Sequence, residues 1–489
     1  MDSPKPFYVT TTIPYVNAAP HIGFALEIVQ ADVIARYQRL RGREVFFNFG
    51  SDEHGQKIYQ KAVEFGKEPQ VYVDEYAAKF ADLKKQLDLT YNAFVRTTDS
   101  HHIVAAQEMW RRCAENVGPE GSDIYKKKYR GLYCIGDEAF VKESDLVNGK
   151  CQNHPNMDLI EIEEENYFFR LSRYESYILQ YLSDKNVIIP EWRREEAIKF
   201  LESGLEDFSI SRVKEKMPWG VPVPGDDTQV MYVWFDALTN YISTLGWPED
   251  ANGNFKKFWQ KGETVQFAGK DQVRFQSIMW QAMLKSAGLP PTGRVFYHGF
   301  ITSRGQKMSK SLGNVIEPMG IVEEYGTDAL RHFLLRHIHP TEDSDVTMER
   351  FKEAYNADLA NGLGNQAARV MKLAEDNLDG PVALTEESSQ LNPTLCYHLD
   401  RYDFNAAMAF IWEHLTQADG FIQDKKPFLM VKSDDPAERE RGKNIISRLV
   451  QHLSMTATNL EPFMPKTAAA IKEAIRTNKK PENLFARRD

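Results

Sequence analysis

Two short strings in this sequence could handle phosphate. The first is Pro20-His21-Ile22-Gly23-Phe24. It lies where a run of β-branched and aromatic residues (7–13) gives way, after a Pro-bounded turn, to Ile22, Leu26, Val29, Val33 and Tyr37 at helical spacing. Unpaired N–H groups and the helix dipole favour an anion at such a junction, and Gly23 lets a nucleotide approach the backbone. The plainer reading is that His21 caps the helix, and for a four-residue match alone that reading is the stronger. The second string, Lys307-Met308-Ser309-Lys310-Ser311, follows Ser303-Arg304-Gly305-Gln306 and precedes Leu312-Gly313-Asn314 in a polar loop just past a strand. Two lysines there can clamp a triphosphate; a bare lysine pair would be a solvated basic turn. The occurrence of both strings in one chain favours phosphate chemistry.

Elements that could position these strings alternate along the first part of the chain. A second strand at 45–49 leads into Gly50-Ser51-Asp52-Glu53-His54-Gly55 and another helical stretch, the pattern of a parallel sheet whose ligands lie at the carboxyl ends of its strands. The pattern loosens between about 115 and 224. Strand signals resume at 229–235, 264–268 and 294–301, so one nucleotide-binding fold is split by an insertion. From 321 onward, apolar positions recur every three or four residues over 354–374, 402–421 and 439–460, the pattern of a helical bundle. The expected fold is therefore α/β, a Rossmann-type parallel sheet followed by an all-α bundle. Its expected parts are the first half of the nucleotide fold (1–114), the insertion (115–225), the second half with the lysine loop (226–320), a linker (321–355) and the bundle (356–489).

Composition sets limits on the partners. The 489 residues hold 42% hydrophobic side chains, enough for two or three cores, and no apolar run long enough to span a bilayer. Four cysteines are too few to staple a chain this long, so thiols or one metal site are expected in a reducing, cytoplasmic setting. A net charge of -10 argues against indiscriminate coating of nucleic acid and leaves room only for local RNA contacts.

The two strings, together with Thr10-Thr11-Thr12-Ile13-Pro14-Tyr15-Val16-Asn17, Ser51-Asp52-Glu53-His54-Gly55, Ile210-Ser211-Arg212, Tyr232-Val233-Trp234-Phe235-Asp236-Ala237 and Gly269-Lys270-Asp271, resemble the class I aminoacyl-tRNA synthetases, and most closely the methionyl-tRNA synthetase family, over nearly the whole chain. The resemblance implies an aminoacyl-tRNA ligase that uses ATP and Mg²⁺ to form methionyl-adenylate and passes the methionyl group to tRNA(Met), initiator tRNA included. His21, Lys307 and Lys310 would be catalytic. His21, Gly23, Phe24, Asp271, His298, Gly299, Lys307, Met308, Ser309 and Lys310 would meet ATP. Ile13, Pro14, Tyr15, Asp52, Arg212, Trp234, Ala237, Leu238, Tyr241 and Gln276 would hold methionine, with Asp52 on the ammonium. Asn365, Arg369 and Phe428 would read the anticodon. Cys134, Asp137, Cys151 and His154 resemble a zinc knuckle with Asp137 in place of a cysteine; zinc accepts a carboxylate, yet the same residues make an ordinary hairpin. The family has members with a further C-terminal dimer-forming domain, and none follows the bundle here, which makes a monomer the expectation.

Some positions depart from the family pattern. Phe24 stands where a second histidine is common and cannot donate to a phosphate, leaving that role to His21. Gln272 and Gln276 replace the usual isoleucine and pocket histidine. Competing readings are another class I synthetase, a catalytically silent tRNA-binding protein, or a small nucleotidylyltransferase. Leucine or valine enzymes would need a large editing insertion, a cysteine enzyme a thiolate-bound metal in its pocket, and a nucleotidylyltransferase leaves the bundle unexplained.

Overall fold

The computed structural model describes residues 4–17, 19–136, 139–141, 146–152, 154–308 and 314–488. No helix among them is long and apolar enough to cross a membrane. Two units share the chain in interleaved segments: residues 1–20, 42–84 and 90–298 form the first, and residues 21–41, 85–89 and 299–489 form the second.

The first unit is organised on a six-stranded sheet. In chain order its strands are β1 (Phe7–Thr11), β2 (Val45–Ser51), β3 (Ala93–Arg96), β4 (Ile188–Ile189), β5 (Glu263–Gly269) and β6 (Arg294–His298). Their spatial order is β4-β6-β5-β1-β2-β3, every pair parallel. All five residues of β1 are buried, as a strand covered on both faces requires. The order reverses beside β1, which creates a crevice at the carboxyl ends of β1 and β5.

Two of the three strands expected to complete the sheet do so. The third, Asp226–Met231, pairs antiparallel with Ser211–Val213 and Pro222–Val223 in a separate small sheet. The expected strand over 229–235 breaks off there, and Val233–Leu238 is a helix. Trp234, Leu238 and Tyr241 are spaced four and three apart, so helical spacing within this aromatic run overrides its strand propensity. The insertion is built on the long antiparallel pair Ile124–Cys134 and Ile160–Phe169. Across it Arg130 pairs with Glu161 at 2.7 Å, while Lys126 pairs with Asp226 at 2.7 Å.

The second unit is mainly helical. It contains Ile22–Leu40, Thr327–Arg336, Asn365–Asn377, Phe404–Lys425, Pro436–Leu460 and Pro465–Thr477. Side-chain caps begin several helices. Asp403 accepts from the N–H of Ala406, and Asp435, just before Pro436, accepts from Ala437. The helix expected over 354–374 is interrupted by a π-helical stretch, Tyr355–Gly364. At the centre of the unit the fully buried guanidinium of Arg331 meets the buried Asp32 carboxylate at 2.8 Å. It also donates to the carbonyls of Phe463, Pro462 and Leu87 at 2.6, 2.9 and 3.2 Å. A buried cation is tolerated only when its donors are satisfied, and this one ties the first helix of the unit to its last segments.

Candidate functional site

In the first unit the candidates gather at the carboxyl ends of the sheet strands. Past β1, residues 13–16 run beside the end of β2. Asp52 N–H donates to the Pro14 carbonyl at 2.9 Å and Val16 N–H donates to the Asp52 carbonyl at 3.2 Å. Tyr15 and Asp52 thus form a parallel bridge that extends the sheet by one step and brings Ile13, Pro14 and Tyr15 to the buried Asp52.

A wall of the candidate pocket comes from two short helices, Val233–Leu238 and Asn240–Ser243. Ala237, Leu238 and Tyr241 are buried, and the half-buried Trp234 stacks on Phe275 with ring centroids 4.0 Å apart and planes 13° from parallel. Gln276, also buried, donates through Nε2 to the Tyr241 hydroxyl. Trp234, Tyr241 and Gln276 therefore belong to one packed group, and Phe275 is a member the sequence reading passed over. An aromatic and aliphatic wall suits a polarizable thioether.

At the ends of β5 and β6 lies the candidate nucleoside region. A Cβ added to Gly269 would come 2.7 Å from Asp271 Oδ1 and 3.8 Å from the His298 ring, so both candidate side chains converge on the bare backbone of Gly269. Asp271 is exposed in the turn Lys270–Gln272, and its Oδ2 accepts from Gln272 Nε2 at 3.0 Å. Gln272, read as a departure in the pocket wall, is thus a partner of Asp271.

Arg212 has a different setting. Its buried guanidinium lies over the rings of Tyr133 and Tyr232 at 5.1 and 4.9 Å and donates to Ser209 Oγ and the Ser211 carbonyl, both at 2.8 Å. These contacts tie the insertion to the residue that begins the Val233–Leu238 helix.

The phosphate-handling candidates belong to the second unit. His21 is the N-cap of Ile22–Leu40, and its Nδ1 accepts from the Gly23 N–H at 3.1 Å. Capping is therefore part of its role. A Cβ on Gly23 would press on the His21 ring at 3.0 Å, so the glycine gives room to the ring itself. Phe24 follows in the first turn.

The lysine string begins in a hairpin of Ile301–Ser303 with Gln306–Lys307, turned through Arg304 and Gly305 with φ of 54° and 71°. Asp345 Oδ1 pins this turn, accepting from Gly305 N–H at 2.7 Å and from Thr302 Oγ1 at 3.0 Å. The backbone of Gly299 approaches residue 342 so closely that a Cβ would lie 2.1 Å from the Glu342 carbonyl carbon. Met308 follows the hairpin, half-buried. Ser309 and Lys310 lie outside the described residues, as does the side chain of Lys307.

Asn365 and Arg369 sit one turn apart on Asn365–Asn377, Asn365 exposed and Arg369 paired with Asp419. Phe428 is 36% exposed on the short helix Pro427–Met430, set off by Lys426 at a φ of 48°. In the insertion, the ligand atoms of Cys134, Cys151 and His154 lie within 4.8 Å of one another, and both cysteines are buried. This donor set fits tetrahedral zinc. Asp137 lies outside the described residues.

A buried cluster beside the pocket was not foreseen. The Asp236 carboxylate lies 2.7 Å from His54 Nδ1 and 2.9 Å from His102 Nε2. Burial works to raise its pKa, but the two imidazoles outweigh that and hold it below the usual carboxylate range. Its three members come from segments far apart in sequence, so no local spacing announces it.

Comparison with known proteins identifies the family. The family model described as tRNA synthetases class I (M) matches residues 7–158 and 141–371. A methionine–tRNA ligase from Rhizobium meliloti is 38% identical over 490 residues, covering 97% of this chain and 92% of that protein. One from Thermotoga maritima is 39% identical, covering 97% and 76%. The structure of Mycobacterium tuberculosis methionyl-tRNA synthetase in complex with methionyl-adenylate superposes with a TM-score of 0.90 at 34% identity, covering 99% of each chain; the apo form of that enzyme gives 0.84 at 31%. With the matches running nearly end to end in sequence and in fold, the chain belongs to the methionyl-tRNA synthetase family of class I aminoacyl-tRNA synthetases.

Proposed function

We propose that this chain is a methionine–tRNA ligase, which activates methionine with ATP and esterifies it to the 3′ end of tRNA(Met), elongator and initiator alike. The observation that supports this most directly is the gathering of Asp52 with Ile13 to Tyr15, and of Trp234 with Tyr241 and Gln276, at the strand ends of a fold shared over 99% of the chain with a methionyl-tRNA synthetase in complex with methionyl-adenylate.

Asp52 takes the methionine ammonium, and Ile13, Pro14, Tyr15, Trp234, Ala237, Leu238 and Tyr241 enclose the thioether. Gln276 orients the Tyr241 hydroxyl toward the side chain. Arg212 acts at one remove, holding Tyr232 in place below the wall. A methionine carboxylate oxygen attacks the α-phosphorus of ATP; the new P–O bond forms as the bond to the β-phosphoryl oxygen breaks, and pyrophosphate leaves. Mg²⁺ bound with ATP would supply charge neutralisation on the phosphates. Asp271 and His298 hold the nucleoside, with Gly299 beside them in sequence. His21, through the ring nitrogen not engaged by Gly23, meets the departing charge together with Lys307 and Lys310, while Gly23, Phe24, Met308 and Ser309 line the backbone path of the phosphates. Such a reaction is accelerated by alignment and charge neutralisation more than by a strong base. A hydroxyl of the terminal adenosine then attacks the methionyl carbonyl, and AMP leaves. Asn365, Arg369 and Phe428 contact the anticodon, Phe428 by stacking. Cys134, Cys151 and His154, with Asp137, would hold a structural zinc that stiffens the insertion.

The test is amino-acid-dependent exchange of pyrophosphate into ATP. Methionine alone among the twenty amino acids is expected to support it, and Lys310→Ala is expected to slow it by about 10²–10³, the loss typical of one charge-stabilising donor. Absence of exchange in the unaltered protein would overturn the reading. Metal analysis of the purified chain is expected to find about one zinc per chain, lost in Cys151→Ser.

A further inference from the structure

We infer that His54, Asp236 and His102 form a positioning array that sets the amino-acid pocket by locking its two sides onto one buried carboxylate. The inference rests on the methionine-site reading above and adds three residues to it, none of which touches the substrate.

The geometry is that of a three-way clamp. Asp236 lies within Val233–Leu238, the six-residue helix that also presents Trp234, Ala237 and Leu238. A helix of one and a half turns is not stable by itself, so its place must be set by tertiary contacts. Asp236 Oδ2 takes the Nδ1–H of His54 at 2.7 Å, and His54 is two residues past Asp52, the candidate partner of the ammonium. Asp236 Oδ1 takes the Nε2–H of His102 at 2.9 Å, from the helix Ser100–Glu115. The other nitrogen of His102, Nδ1, meets Ser243 Oγ at 2.8 Å on the second wall helix, Asn240–Ser243, which presents Tyr241.

His102 therefore braces both short helices of the pocket wall, and His54 ties that wall to the Asp52 segment. Asp236 and His102 are fully buried and His54 is 5% exposed, so water cannot replace these bonds without opening the wall. On the far face of the wall Trp234 leans on Phe275, which gives no directional hold along the ring plane. The hydrogen-bonded array supplies that direction. Its loss would misplace the thioether wall and leave the phosphate-handling groups, which belong to other segments, where they are.

This predicts a selective defect. In pyrophosphate exchange with the full chain, Asp236→Asn and His102→Ala are expected to raise KM for methionine about tenfold and KM for ATP by less than about twofold, the factor a displaced buried hydrogen bond sets. His102→Gln restores an N–H donor near Nε2 and is expected to recover most of that loss. Ser243→Ala removes only the distal brace; it should raise KM for methionine about two- to threefold, the lower end of the hydrogen-bond range, in a chain that still melts cooperatively. It serves where the stronger variants do not fold. An unchanged KM for methionine in His102→Ala, or in Ser243→Ala when it is the only folded variant, overturns the inference, as does a parallel rise in both KM values, which would mark a general structural role. No methionine-dependent exchange in the unaltered protein would instead overturn the functional reading itself.

Discussion

At the scale of single residues, what a side chain can do depends on what already occupies it. His21 shows this well. One ring nitrogen caps the helix, so the residue that the sequence allowed to be either cap or phosphate ligand has a cap's geometry. His332 shows the electrostatic side. It is buried beside Asp358, His337 and Trp412, and burial, only partly opposed by Asp358, pushes its pKa down to about 4. In the unfolded chain a histidine takes up its proton near pH 6.5. Between about pH 6.5 and pH 4 the unfolded state thus binds a proton that the native state refuses, so native stability is fully present above this window and declines as pH falls through it. The loss is expected to be on the order of 3 kcal/mol. Urea midpoints measured from pH 7 to pH 4 should fall less steeply in His332→Phe than in the unaltered chain, and equal slopes would refute the assignment.

Among elements, the hairpin before the lysine loop is the one on which the proposed phosphate handling depends. Its turn is pinned by Asp345 through Gly305 and Thr302. Asp345→Ala is expected to raise KM for ATP and lower the exchange rate, together about tenfold or more, since small misplacements of reacting groups are costly. KM for methionine should hardly move; an unaffected ATP dependence would disprove the role. At this scale the sequence was legible where pattern and packing agree. The runs in β1, β2, β5 and β6 read as buried parallel strands because β-branched residues stand between turn signals, and they are so. β4 has two residues, Ile188 and Ile189, too few to show any period. Trp234 and Phe235 read as strand because aromatic propensity was weighed over the four-and-three spacing of Trp234, Leu238 and Tyr241. Of the candidate site, Asp52, Trp234 and Tyr241 were accessible through resemblance, whereas Phe275 and the Asp236 cluster owe their roles to packing between distant segments.

Taken as a whole molecule, the protein does not divide into units where its sequence would be cut. Ile22–Leu40 follows β1 directly, yet its contacts group it with residues 299–489. A fragment spanning 299–489 would keep Arg331 and lose Asp32, leaving a buried guanidinium without its carboxylate, at a cost of about 3–5 kcal/mol. Such a fragment is expected to lack a cooperative melting transition and the near-ultraviolet dichroism of packed aromatics; a sharp transition would contradict this. The same arrangement bears on synthesis. As the chain leaves the ribosome, Ile22–Leu40 emerges well before residues 299–489, with fourteen of its nineteen positions destined for burial. The carbonyls of Pro462 and Phe463, which with Asp32 and the Leu87 carbonyl complete the shell around Arg331, arrive some 430 residues later, roughly 20–90 s at about 5–20 residues per second. Throughout that interval the nascent helix holds an unsatisfied apolar face, the kind of surface that chaperones bind.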